Sequence, residues 1–200
     1  MKKKLLQFIF LLSLCIGFYS CTNEDNISNS HDESDTSSRS VRAVYTFPSV
    51  SEITASSVVK TKMDEAWQLM KDNASSSGRS EYGFYIYYNH SSKTYYVGNI
   101  VAGGVTAGCA GTNASISLGR VTSNIDVCAF FHCHTTLQYC PSTDSRTTGE
   151  SSSDINFANN NRLPGILYDY SSSTIYGKHS KNDPNKIYTF GPDKRPDMPY

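Results

Sequence analysis

Ile125-Asp126-Val127-Cys128-Ala129-Phe130-Phe131-His132-Cys133-His134 is the most strand-like run of the 200-residue chain. Its β-branched and aromatic content suits a buried strand, and the run ends in two histidines separated by one residue. Side chains alternate along a strand, so His132 and His134 share one face while Cys133 points to the other. Two imidazoles about 6–7 Å apart on one face can reach a single metal ion. The pair closes a buried strand and is followed by a polar loop from Thr135 to Ser153. A loop of that length inside a compact domain usually carries function or is disordered.

Upstream, Ser56 to Asn73 carries Val59, Met63, Ala66, Trp67 and Met70 on one helical face, with Ser56 or Ser57 to cap the start. Glu81 to Tyr88 reads as an aromatic strand, Asn89 to Lys93 as a turn, and Thr94 to Val97 as the hairpin partner. Gly98 to Asn124 is dominated by Gly, Ala, Ser and Thr and has no firm strand signal. Downstream, Asp154 to Asn161 reads as a short helix with Ser151 to Ser153 available to cap it. Leu163 to Tyr170 and Ser173 to Lys178 are expected to form a second hairpin, and Lys186 to Phe190 an edge strand. The expected fold class is therefore α+β: one domain over residues 45–190, followed by a surface tail, residues 191–200.

Composition narrows the function. Lys and Arg number 18 against 18 Asp and Glu, so no basic excess points to nucleic acid. No GxGxxG or GxxxxGK[ST] fingerprint for a nucleotide occurs. Lys2-Lys3-Lys4 and the apolar run Leu5 to Phe18 suit a signal peptide over residues 1–20; the run is too short for a bilayer span. Gly17-Phe18-Tyr19-Ser20-Cys21 resembles a bacterial lipobox, which implies cleavage before Cys21 and a lipid on that cysteine. The alternative is a plain secretory signal. After cleavage the balance is 15 basic against 18 acidic residues. Residues 21–44 are Ser, Asn, Asp and Glu-rich and read as a flexible acidic tether. Glu24-Asp25 resemble a surface-export signal or belong to an ordinary linker. The expected location is the bacterial envelope, at the outer membrane. Four cysteines remain in the domain (Cys109, Cys128, Cys133, Cys140), allowing up to two disulfides in three connectivities. No CxxC pair favours a thiolate zinc site.

A catalytic zinc site needs a third ligand and an open position for water. Asp144 in Ser142-Thr143-Asp144 and Asp154 in Ser151-Ser152-Ser153-Asp154 are the acidic candidates, and Glu81 opens the aromatic strand. Glu81 at a strand start after a helix, then HxH closing a later strand, then SxxD opening a helix, resembles the JAB/MPN (JAMM) metallopeptidases over about residues 50–180. It is most similar to the divergent bacterial JAB-like domains, through Glu81-Tyr82-Gly83-Phe84-Tyr85-Ile86-Tyr87-Tyr88-Asn89 and the long loop before SxxD. The resemblance implies a curved β-sheet flanked by helices, with zinc held by His132, His134 and Asp154. It further implies Glu81 as the base and Ser151 as donor to the oxyanion. Two departures stand out. Thr135 occupies the position after the second His where the family usually has Pro. The family's common spacing fits Ser142 but then meets Ser145, with Asp144 one place short. Asp154 is preferred because it leads through a helix to Leu163-Pro164-Gly165 and the next strand. The expected activity is zinc-dependent cleavage of an amide in a peptide, protein or cell-wall substrate. The alternatives are an inactive JAMM-like binding module and a surface lipoprotein of structural or adhesive role. Glu81 paired with Arg79 at a strand edge, and Ser151 as a helix cap only, are the non-catalytic readings of those residues.

Overall fold

The computed structural model describes residues 46–109, 114–119 and 127–193. The signal segment, Cys21, the acidic tether, Ile125-Asp126 and residues 194–200 lie outside the described residues.

Helix α1 (Val50–Ala55) begins with a capping box: Ser49 Oγ accepts the Glu52 N–H, and Glu52 reaches back to the Ser49 N–H. Only Ile53 of its six residues is buried, so it carries almost no apolar periodicity and no expectation covered it. Helix α2 (Ser57–Asp72) buries Val59, Met63, Ala66, Trp67 and Met70, the five residues of the expected face. Ser56 stands at its N-cap without a side-chain cap bond.

Strands β1 (Tyr82–Asn89) and β2 (Thr94–Val97) form the expected antiparallel hairpin. β3 (Val101–Ala102) pairs with the start of β1, and β4 (Val127–Cys133) lies antiparallel on its other side. After β4 come β5 (Ser145–Thr147), helix α3 (Ser152–Asn161), β6 (Gly165–Tyr170), β7 (Thr174–Tyr176) and β8 (Asn185–Phe190). The main sheet is six-stranded, in the order β2-β1-β4-β6-β8 with β3 also on β1. It is curved and open, and the class is α+β.

The second hairpin is corrected. β6 runs parallel to β4 and antiparallel to β8, so both its edges are taken. β7 pairs instead with β5, inside the polar loop, as a separate two-stranded sheet. All six residues of β6 are buried, which suits an interior strand rather than the arm of an exposed hairpin. A parallel neighbour requires a crossover, and α3 lies within the β4–β6 connection.

Alternation along β4 serves two cores. Phe131 and Cys133 pack with Trp67, Met63, Met70, Phe84 and Tyr168. Phe130 packs with Ala158, Leu167 and Phe190 in a smaller cluster that Phe157 joins. His132 and His134 belong to this second side.

Candidate metal centre

Gly83 is the first local requirement. It lies opposite His132 in the β1–β4 register, and a Cβ there would sit 2.4 Å from the Phe131 carbonyl oxygen and 3.0 Å from His132 Cβ. Only glycine admits that approach. The same register, continued one residue beyond β1, sets Glu81 opposite His134. Glu81 is buried, and its peptide oxygen accepts from Gly103 N at 2.8 Å.

His132 is 2 % exposed at the end of β4, and His134 follows it, its N–H bonded to the Tyr168 carbonyl at 3.1 Å. Asp154 comes from the first turn of α3. Ser151 is the N-cap: its Oγ accepts the Asp154 N–H at 3.2 Å, and Asp154 Oδ2 accepts the Ser151 N–H at 2.7 Å. The capping box thereby fixes how the Asp154 carboxylate leaves the helix.

The three side chains converge. His132 Nε2 lies 3.2 Å from Asp154 Oδ1, and His134 Nε2 lies 3.4 Å from Asp154 Oδ2. One donor atom from each falls within 4.8 Å of the others. His132 Nε2 is nonetheless buried without a hydrogen-bond partner. An orphaned buried nitrogen is costly, and a cation accepting its lone pair removes the cost. Two imidazole nitrogens and a carboxylate oxygen fit a divalent metal ion. Cys109, Cys140 and Asp144 also cluster within 4.8 Å, but the two sulfurs are joined in a disulfide and offer no thiolate. Asp144 is thus separated from the histidines' partner set, and Asp154 is the acid beside them.

Behind His134 sits a carboxylate that no sequence expectation named. Asp169, on β6, is fully buried. His134 Nδ1 lies 3.0 Å from its Oδ2, Arg146 Nη1 and Nη2 donate to both oxygens at 2.8 and 2.7 Å, and Gly149 N–H donates to Oδ2 at 3.0 Å. Gly149 has φ +92°, a left-handed conformation that favours glycine. Asp169 interrupts the apolar run Gly165 to Tyr170, and a buried carboxylate demands partners; that was the available signal. Arg146, in the polar loop, gave none. Thr135, standing where the resembled family has Pro, has a structural task here. Its Oγ1 accepts from Arg79 Nε at 3.0 Å and its carbonyl from Arg146 Nη2 at 2.8 Å.

Electrostatics follow from the protein's own charges. Burial pushes the Glu81 carboxyl above its ordinary range, against the pull of His134 and His132. Burial would also raise Asp154, but His132 and His134 beside it hold it far below the usual carboxylate range. Burial disfavours the His134 imidazolium, yet Asp154 and Asp169 outweigh it and raise its pKa to about 9. Asp169 is likewise held down to about 2, because Arg146 and His134 overcome its burial. Cys133 faces away, its Sγ 3.7 Å from the Ala66 carbonyl oxygen, and burial pushes its thiol well above the ordinary range. It is no nucleophile for this site.

His132, His134, Asp154, Glu81 and Ser151 all line one cavity of about 720 Å³. Ile116, Leu118 and Phe157 give it an apolar wall; Arg146, Thr147 and Glu150 face it with polar groups. A cleft with few convergent polar groups and shifted titrations is the usual form of a binding site for a small molecule or chain segment. The Cys109–Cys140 disulfide lies at the same cavity through Cys109, and Cys128 and Cys133 are buried outside that disulfide. One disulfide therefore forms among the four candidates.

The chain matches no protein-family model, no curated protein and no solved structure.

Proposed function

We propose that the protein is a zinc-dependent peptidase or isopeptidase of JAMM-like type, tethered to the bacterial envelope through a lipid on Cys21. The observation that carries this reading is the convergence of His132, His134 and Asp154 on the wall of a cavity that Glu81 also lines. In this reading His132 and His134 supply Nε2 and Asp154 a carboxylate oxygen to the ion, and the cavity leaves room for water and substrate. When bound, zinc supplies Lewis acidity, polarising an amide carbonyl and making a water molecule acidic.

Glu81 accepts the proton of the attacking water as its oxygen bonds to the carbonyl carbon. It then delivers that proton to the amide nitrogen as the C–N bond breaks, so the carboxylate is regenerated. A buried carboxyl with raised basicity suits both transfers near neutral pH. Ser151 Oγ uses a lone pair for the Asp154 N–H, and its own hydroxyl hydrogen remains to donate to the developing oxyanion. The apolar wall around Phe157 receives a substrate side chain. Peptide, isopeptide and cell-wall amides all carry the bond this chemistry cleaves.

The test combines metal content with turnover on a panel of peptide, isopeptide and muropeptide substrates. Purified protein is expected to hold one zinc per chain. Glu81→Gln should keep that zinc and lower turnover by ~10²–10⁴, since the base contributes no metal bond. A wild-type chain that binds no zinc would end the proposal.

A further inference from the structure

We infer that Asp169 is the positioning residue of the metal centre, orienting His134 from behind and anchoring the loop that delivers Asp154. The inference rests on the metal-centre reading above. His134 has two ring nitrogens with separate assignments. Nε2 faces Asp154, and Nδ1 faces Asp169 Oδ2 at 3.0 Å. An acceptor at Nδ1 requires the proton there, which leaves the Nε2 lone pair for a cation. Asp169 is itself held from three directions. Its own β6 contributes the Tyr170 N–H at 2.8 Å, β5 contributes the two-pronged Arg146, and the loop before α3 contributes the Gly149 N–H. Gly149 stands two residues before Ser151, the N-cap that fixes Asp154. One buried carboxylate thus ties the second and third ligands to the same interior strand.

Arg146 and the Tyr170 and Gly149 N–H groups already give the buried carboxylate four donors. Asp169 Oδ2, which also accepts from Gly149, adds to them the outward histidine that lines the cavity. The histidine ring is thereby clamped between two carboxylates. Arg146, which also bonds the Thr135 carbonyl, carries the compensating charge.

The experiment is a double-mutant cycle read by metal affinity in competition with a chromophoric chelator, using the mature full-length protein. Asp169→Asn is expected to weaken zinc binding ~10–100-fold with the 1:1 stoichiometry kept. In a His134→Ala background, titrated at zinc concentrations high enough to load the weakened two-ligand site, the same substitution should change affinity less than threefold, because the ring it orients is gone. An equal loss in both backgrounds would assign Asp169 a general structural role and overturn the inference. If Asp169→Asn does not fold, zinc-loaded wild type answers alone, through long-range 1H–15N spectra of the histidines. His134 is expected with a protonated Nδ1 and a metal-shifted Nε2; a metal-shifted Nδ1 overturns the inference. Zinc bound normally with no Asp169 effect removes this inference only. Absence of zinc binding in wild type removes the metal-centre reading and this inference with it.

Discussion

The two faces of β4 are built from neighbouring residues and are put to opposite uses. Toward α2, Phe131 and Cys133 join a large apolar cluster in which Trp67 meets Tyr170 edge-on at 5.2 Å. Toward α3, His132 and His134 meet acids, and the cluster around Phe130 and Leu167 is smaller. The period of two along a strand makes this division cheap: one residue packs and the next is released for chemistry. The α2 face holds the strand still, and the α3 face brings donor atoms of His132, His134 and Asp154 within 4.8 Å of one another. A site of that kind depends on the rigidity of the face behind it.

Paired substitutions on adjacent residues break the comparison most strongly. Phe131→Ala should cost about 3–5 kcal/mol in stability, read by denaturant unfolding, while the folded fraction keeps its metal affinity. His132→Ala should act on the metal. Metal content should fall below detection, together with activity, since two remaining ligands hold zinc far more weakly. Stability should fall as well, because the lost ring is buried, stacks on Phe130 and stands beside Asp154, so the contrast with Phe131→Ala is read in the metal affinity of the folded protein. If Phe131→Ala empties the metal site in the folded protein, the two faces are not independent.

Ser151 caps α3 and, in the proposed mechanism, also donates to the oxyanion, and its substitution separates the two roles. Glycine at an N-cap costs only a few tenths of a kcal/mol relative to serine. The Asp154 carboxylate keeps its bond to the backbone N–H of residue 151 in that variant. Ser151→Gly is therefore expected to leave the melting temperature and zinc content nearly unchanged while lowering turnover ~10²–10³, the value of one oxyanion donor. Unchanged turnover would reduce Ser151 to its cap.

The two faces also differ in how far the sequence announces them. The α2 face was legible: the helical spacing of Val59, Met63, Ala66, Trp67 and Met70 and the hairpin of β1 and β2 match the structure. So was the edge strand β8. On the α3 face, strand alternation placed His132 and His134 together, and the serines before Asp154 marked the helix start. Asp154, preferred over Asp144 because it opens a helix leading to Leu163-Pro164-Gly165 and the next strand, lies within 4.8 Å of the histidine nitrogens, whereas Asp144 clusters with Cys109 and Cys140. What the sequence withheld was pairing over distance. β6 followed by three serines looks like a hairpin arm, and only the occupied edges of β6 send β7 to β5. Arg146 and Asp169 are 23 residues apart, and nothing local couples them. The same holds for Cys109 and Cys140, whose pairing was one of several allowed. Helix α1 did carry a legible signal in Ser49-Val50-Ser51-Glu52, the capping-box pattern, but its short polar course hid it.

Acidity should move the two functions of the α3 face in opposite directions. In metal-free protein the His134 pKa is raised from 6.5 to about 9. Its stabilising contribution is therefore complete below pH 6.5 and is lost as pH rises through 9. Asp169, lowered from 3.8 to about 2, contributes above pH 3.8 and loses that contribution as pH falls through 2. Melting of metal-free protein should accordingly be most favourable between these limits and decline from pH 6.5 to 9. Zinc must displace the His134 proton, so its apparent affinity should rise about tenfold per pH unit over the same interval. Thermal melts in chelator and competition titrations at matched pH give both curves. Parallel curves would mean that His134 does not bind the metal.

The smallest effect is expected at Asp144, the acid that the sequence left in competition with Asp154. Its backbone is committed, the N–H to the Pro141 carbonyl and the carbonyl to the Gly177 N–H, both at 3.0 Å. Among the described residues its side chain has only sulfurs for prospective co-ligands, and the Cys109–Cys140 bond leaves neither as a thiolate. That disulfide closes a 31-residue separation and contributes about 3–4 kcal/mol by loop entropy, so the unreduced state is the folded reference. Asp144→Ala should thus change zinc stoichiometry not at all and affinity less than twofold, measured without reductant so that no thiolate is released. Asp154→Ala, in the same titration, should abolish binding. If instead Asp144→Ala empties the site and Asp154→Ala spares it, the metal is bound beside the disulfide rather than between the histidines. Both faces of β4 would then be packing surfaces, and the contrast between them would vanish.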